Sequence, residues 1–152
     1  MKQAYLSLVL LIERLHRRFL DVIKAELDRL KIEDINNVQT LILYNIGDEN
    51  LTIGELTNRG YYLGSNVSYN IKKLVENEYL IQERSPHDKR SVKVKLSEKG
   101  LSIVDRVDEL LQKNIDQLVQ KEGFTAGDLE LLTKNLTMLE GFWSKYISSS
   151  HY

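Results

Sequence analysis

The chain of 152 residues has no cysteine, one proline and one tryptophan. Without thiols there is no disulfide framework, no thiolate nucleophile and no cysteine-bound zinc, and a reducing compartment is allowed but not required. The three histidines, His16, His87 and His151, stand far apart, and no H-x-x-x-H spacing occurs. No metal site and no other cofactor are therefore expected. Long hydrophobic runs are also missing. The longest, LVLLI at 8–12, falls well short of the roughly 20 residues that cross a bilayer. Only Lys2 precedes it, and Glu13 and Arg14 follow where a signal peptide would place small residues. A cytoplasmic protein with no membrane partner is the expectation.

Catalytic signals are absent as well. Ser85, His87 and Asp88 are neighbours on one turn, so they cannot aim at each other in the hydrogen-bonded chain of a triad. Gly54, Gly60 and Gly64 have no phosphate-loop spacing. No catalytic residue is assigned, and an enzyme is not expected. There is no internal repeat, low-complexity tract or Pro/Gly-rich linker. The length and a hydrophobic content of 42% suit one domain with a core.

What the chain does have is uneven charge. The net charge is −1, yet from Arg59 to Lys95 eight basic side chains stand against four acidic ones, while the remainder holds 13 basic and 18 acidic. A basic centre between acidic ends suggests a local anionic partner, although chance could produce the same contrast.

Hydrophobic period orders the elements. Leu8, Ile12, Leu15, Phe19, Val22, Ile23, Leu27 and Leu30 recur at steps of three and four, which predicts a helix over 3–30. Asp34 is expected to cap a second helix that ends at Gly47. Thr52 and Glu55 have capping-box spacing for a short third helix. Ser65 is expected to cap a fourth, with Val67, Ile71, Leu74 and Val75 inward. After Tyr79 the period drops to two. Strands over 80–84 and 91–96 flank the turn chemistry of Ser85, Pro86, His87 and Asp88, with Val92, Val94 and Leu96 inward. Ser97 and Thr125 are expected to cap two long final helices.

Two short helices followed by a hairpin make a winged helix-turn-helix. With long helices on either side, the chain resembles the MarR family of bacterial transcription regulators. The matching residues are NLTIGEL at 50–56, SNVS at 65–68 with Leu74, and DKR at 88–90 followed by VKVKLSEKG, a D-x-R wing signature and an L-[ST]-x-x-G helix start. The segment GYYLGSNVSYN at 60–70 resembles the alphaproteobacterial LdtR-type subgroup, which would imply cell-envelope transpeptidase genes as targets. Two positions depart from the family pattern: Tyr69 stands where arginine is common, and Glu78-Tyr79 stands where Gly-Leu usually ends the recognition helix.

The implied fold class is mainly α with a small β-hairpin wing (α+β). Residues 1–152 would form one MarR-like domain, with a DNA-binding lobe at 33–98 and dimerisation helices at 1–31 and 99–150. A helix in the major groove reads base edges with its N-terminal residues. The outward face of the fourth helix offers Ser65, Asn66, Ser68, Tyr69, Lys72 and Lys73 for that task. On the wing, Asp88, Lys89, Arg90, Lys93 and Lys95 are the candidates. The resemblance implies that Arg90 enters the minor groove, with Asp88 aiming it and the lysines meeting phosphates.

The expected partners are double-stranded DNA and a second copy of the chain, joined through Tyr5, Leu8, Val9, Ile12, Leu132, Leu139, Phe142 and Trp143. The family also commonly binds small aromatic or anionic effectors. Arg18, Phe19, Thr40 and Tyr44 are candidates for such a pocket, and ordinary packing explains each equally well. A ligand-responsive repressor on a pseudo-palindromic operator is the expected function. A winged helix used as a protein-interaction module is the alternative.

Overall fold

The switch of hydrophobic period after Tyr79 marks where helices give way to sheet. In a computed structural model, which describes residues 1–59, 64–88 and 91–150, helices α1 (Lys2–Arg29) and α2 (Asn37–Ile46) lead to a two-residue strand β1 (Leu51–Thr52). Then come α3 (Ile53–Asn58), α4 (Gly64–Glu76), strands β2 (Leu80–Arg84) and β3 (Val92–Leu96), and helices α5 (Glu98–Glu122) and α6 (Ala126–Ser149). The sheet is antiparallel with order β1-β3-β2. Leu51 pairs with Val94, and Leu80 through Arg84 pair with Leu96 through Val92.

Backbone contacts group residues 1–110 into one unit and 111–152 into another. In the first unit, Ile23 and Leu27 of α1, Ile42, Leu43 and Ile46 of α2, Leu56, Val67, Ile71, Leu74 and Val94 form the core. Only the C-terminal part of the α1 stripe is buried: Leu8, Leu15, Phe19 and Val22 are exposed. In the second unit, α6 has no buried residue at all.

Capping follows the residues that can bond exposed helix-start amides. Thr52 with Glu55 and Thr125 with Asp128 form reciprocal capping boxes, and Ser97 Oγ accepts the Gly100 N–H at 3.1 Å. The expected cap of α2 is corrected. Asn36, not Asp34, takes that place, exchanging bonds with Gln39. Asp34 is drawn elsewhere, to Tyr79 and Lys99.

The exit of α4 is tightly bonded. Tyr79 N–H donates to Leu74 O at 2.9 Å and Glu78 N–H to Val75 O at 3.0 Å, the paired bonds of a Schellman ending. Glu78 occupies the left-handed position with φ +66°, which glycine normally fills. The wider family's glycine there is thus explained, and this chain bears the cost of a side chain. Glu78→Gly is expected to raise stability by about 1 kcal/mol, seen as a higher urea midpoint with an unchanged slope. A lower midpoint would refute the assignment of strain.

Candidate nucleic-acid interface

Helix α4 is held by one face. Val67, Ile71 and Leu74 are essentially inaccessible to solvent, which turns Asn66, Ser68, Tyr69 and Lys72 outward. Tyr69 is 60% exposed. Among the described residues Lys72 has no ion-pair partner, whereas Lys73 is half-buried, pairs with Glu76 at 3.4 Å and lies 5.9 Å from the centre of the Tyr69 ring. An exposed row of amide, hydroxyl, phenol and ammonium groups can meet base edges and phosphates together. The Ser65 side chain, and Lys89 and Arg90 at the wing tip, lie outside the described residues.

On the hairpin, Asp88 is exposed, and its carbonyl accepts the Ser91 N–H at 3.1 Å. Lys93 points to solvent opposite Glu83. Lys95 is engaged locally: its Nζ lies 2.6 Å from Glu83 Oε1. Asn50 donates to the other Glu83 oxygen at 3.2 Å. The Lys95 hydrogen bond, then that of Asn50, holds the Glu83 carboxyl below its ordinary range. Arg84, at the end of β2, is exposed and was given no role by motif reasoning. The only signal was its count within the basic centre.

A polar cluster sits where α4 ends and α5 begins. Tyr79 donates its hydroxyl to Asp34 Oδ1 at 2.6 Å. Lys99 Nζ donates to Asp34 Oδ2 at 3.1 Å and to Asn77 O at 2.9 Å, and lies 4.1 Å from the centre of the Tyr79 ring. Burial pushes the Asp34 carboxyl up, but the bonds from Tyr79 and Lys99 outweigh it and hold the group below the usual carboxylate range. Burial first, then Asp34, pushes the Tyr79 phenol well above its ordinary value. No pattern search finds this cluster, because its members are spread from 34 to 99.

The four pocket candidates have different surroundings. Thr40 is fully buried and donates its hydroxyl to Asn36 O at 2.8 Å. It lines a narrow apolar cleft with Ile23, Leu27, Ile103 and Val107. Arg18 lies with Arg14 and Arg17 on the exposed side of α1, 3.7 Å from Asp21. Phe19 is exposed. Tyr44 is half-buried and donates its hydroxyl to Asp108 Oδ1 at 2.9 Å. Of the expected interface residues, Tyr5, Leu8, Leu132 and Phe142 are exposed, while Val9, Ile12, Leu139 and Trp143 are half-buried. Among the described residues there is no metal-binding cluster, and no helix is long and apolar enough to cross a membrane.

Residues 20–100, more than half of the chain, match the family described as winged helix DNA-binding domain. The chain belongs to that family. On this winged helix, α3 and α4 are the helix-turn-helix and β2–β3 the wing. ExpG of Rhizobium meliloti strain 1021, named an exopolysaccharide II synthesis transcriptional activator, is 45% identical over 96 residues, which is 63% of this chain and 50% of ExpG. YsmB of Bacillus subtilis strain 168, an uncharacterized HTH-type transcriptional regulator, is 30% identical over 98 residues, 64% of each chain. The match thus spans about half the length of ExpG.

Streptococcus pneumoniae FabT in complex with DNA superposes with a TM-score of 0.75 at 18% identity, covering 93% of this chain and 99% of that one. A mutant of E. coli MarR complexed with operator DNA superposes at 0.71 and 22% identity, covering 90% and 95%. At such identities the likeness is one of fold, and the fold is that of the MarR regulators. Family and fold together describe a winged helix DNA-binding domain built on the fold of the MarR regulators.

Proposed function

We propose that this winged-helix protein acts as a homodimer on a pseudo-palindromic DNA site and regulates transcription there. The observation that carries the reading is the face of α4. Three buried apolar residues turn Asn66, Ser68, Tyr69 and Lys72 to solvent together. In the major groove Asn66 would bond an adenine edge, Tyr69 would meet a thymine methyl or a phosphate, and Lys72 would meet phosphate. The wing would bring Arg90 to the adjacent minor groove.

Exposed apolar surface supports the dimer. Helix α6 presents Leu131, Leu132, Leu136, Met138 and Phe142 to solvent, and α1 presents Tyr5, Leu6 and Leu8. A soluble monomer rarely leaves that much apolar side chain uncovered on two helices. Pairing two copies by a two-fold axis would place two recognition helices on half-sites one turn of DNA apart. The reading extends to a small aromatic or anionic effector. Such an effector would shift the spacing of the recognition helices by binding one arrangement better than the other.

The test is retention of fragments of genomic DNA by the purified protein, titrated with salt, beside Arg90→Glu. The expected result is selective retention of a pseudo-palindromic fragment, weakened steeply by salt and lost in the variant. A folded dimer that retains nothing would move the reading to a protein-interaction module.

A further inference from the structure

Burial of Val67, Ile71 and Leu74 decides which face of α4 meets the core, but apolar contact is non-directional and leaves the last tens of degrees of roll to directional bonds. Directional bonds come from the segment 34–39. Gln39 is 7% exposed, and its side-chain amide donates to Asn70 Oδ1 of α4 at 3.2 Å. The other end of that amide accepts the Asn36 N–H at 3.0 Å, and Asn36 Oδ1 accepts the Gln39 N–H at 2.8 Å. Seven residues along, Asn77 Nδ2 donates to Asp34 O at 2.9 Å. The two attachments are about 10 Å apart along the chain axis, so one short segment fixes both roll and tilt. The segment is itself tied to α1, where Asn37 Nδ2 donates to Leu20 O at 3.2 Å.

We propose that Gln39 is a positioning residue that determines base discrimination without touching DNA. The inference rests on the DNA reading given above. It sets the roll of α4, and the roll decides which base edges Asn66, Ser68 and Tyr69 reach. A roll of about 20° moves a side-chain tip by about 2 Å, enough to break a direct base contact. Phosphate contacts by long, flexible lysines tolerate such a shift. Losing the Gln39–Asn70 bond should therefore cost discrimination and leave general DNA affinity in place.

The test compares wild type with Gln39→Met, which keeps the length of the side chain and removes its polar groups, and Asn70→Ala, which cuts the same bond from α4 and keeps the α2 cap. For each protein, binding to the retained fragment and to random DNA is measured across a salt series. The expected result for both variants is a roughly tenfold loss of discrimination, with random-DNA affinity and salt slope unchanged. Wild-type discrimination in both folded variants would overturn the proposal, as would equal losses on both DNAs. If Gln39→Met does not fold, Asn70→Ala decides. Should the wild type itself select no fragment, the DNA reading fails. Amide exchange of the free protein then judges the positioning: faster exchange across α4 in the variants supports it, and unchanged exchange overturns it.

Discussion

Gly100→Ala is expected to lower the melting temperature of the protein by about 3–10 °C. A Cβ built at Gly100 would lie 2.3 Å from the Tyr79 carbonyl oxygen and 3.3 Å from Leu96 Cδ2. The first distance is too short for any carbon–oxygen contact, and the obstacle is backbone, so no rotamer change relieves it. That carbonyl also accepts the Ser97 N–H at 3.1 Å, and it follows directly on the left-handed Glu78. Making room means moving the exit of α4 against the start of α5. Forcing an extra methyl into a packed site costs about 1–3 kcal/mol or more, and each kcal/mol is worth about 2–4 °C at this size. Gly141→Ala is the control. Nothing lies within 4 Å of its Cβ position in α6, so it should be stabilising by up to about 1 kcal/mol through helix propensity. Thermal denaturation of both variants tests the pair. A Gly100→Ala protein melting with the wild type would remove the steric account of the L-[ST]-x-x-G start.

Lys72→Glu is expected to weaken DNA binding about a hundredfold near 0.15 M salt, while leaving the melting temperature within about 1 °C. The side chain is exposed on the outward face of α4 and, among the described residues, unpaired, so its ammonium is available to a phosphate and its removal strands no partner. Reversal deletes one phosphate contact per chain and adds a repulsion. A dimer feels this twice, so the slope of log affinity against log salt should fall by about 2. The loss should be nearly the same for all DNA sequences, because phosphates carry no sequence information. Lys73→Glu should cost less, since Lys73 is half-buried and already shared with Glu76. An unchanged salt slope in Lys72→Glu would mean that this lysine meets no phosphate. A loss confined to one DNA sequence would make it a base reader.

Much of this architecture was legible in period and caps. The hairpin strands and the boxes at Thr52 and Thr125 were readable because alternation and cap chemistry are local. Strand β1 was not: Leu51 and Thr52 have no period of their own and become strand only by pairing with Val94 and Lys93. The cap of α2 was misplaced because Asp34, Asn36 and Asn37 are all able to cap. What settles the choice is Tyr79, 45 residues away. The α1 stripe marked a helix, yet periodicity marks a face without saying what covers it, and Leu15 and Phe19 are exposed. The outward face of α4 could be read from its apolar complement. The Gln39–Asn70 bond could not, because it joins residues 31 apart through a glutamine that looks locally like half of a helix cap.

Strand β2 forms the outer edge of the sheet, with Gln82, Glu83 and Arg84 exposed and only Leu80 buried. A free strand edge is a template on which another chain can add β-structure, and long apolar edges seed aggregates. This edge is five residues long, carries charges of both signs beside the Glu83–Lys95 pair, and ends at the proline-containing turn. The edge of the wing is therefore a poor template for strand addition by a neighbouring chain.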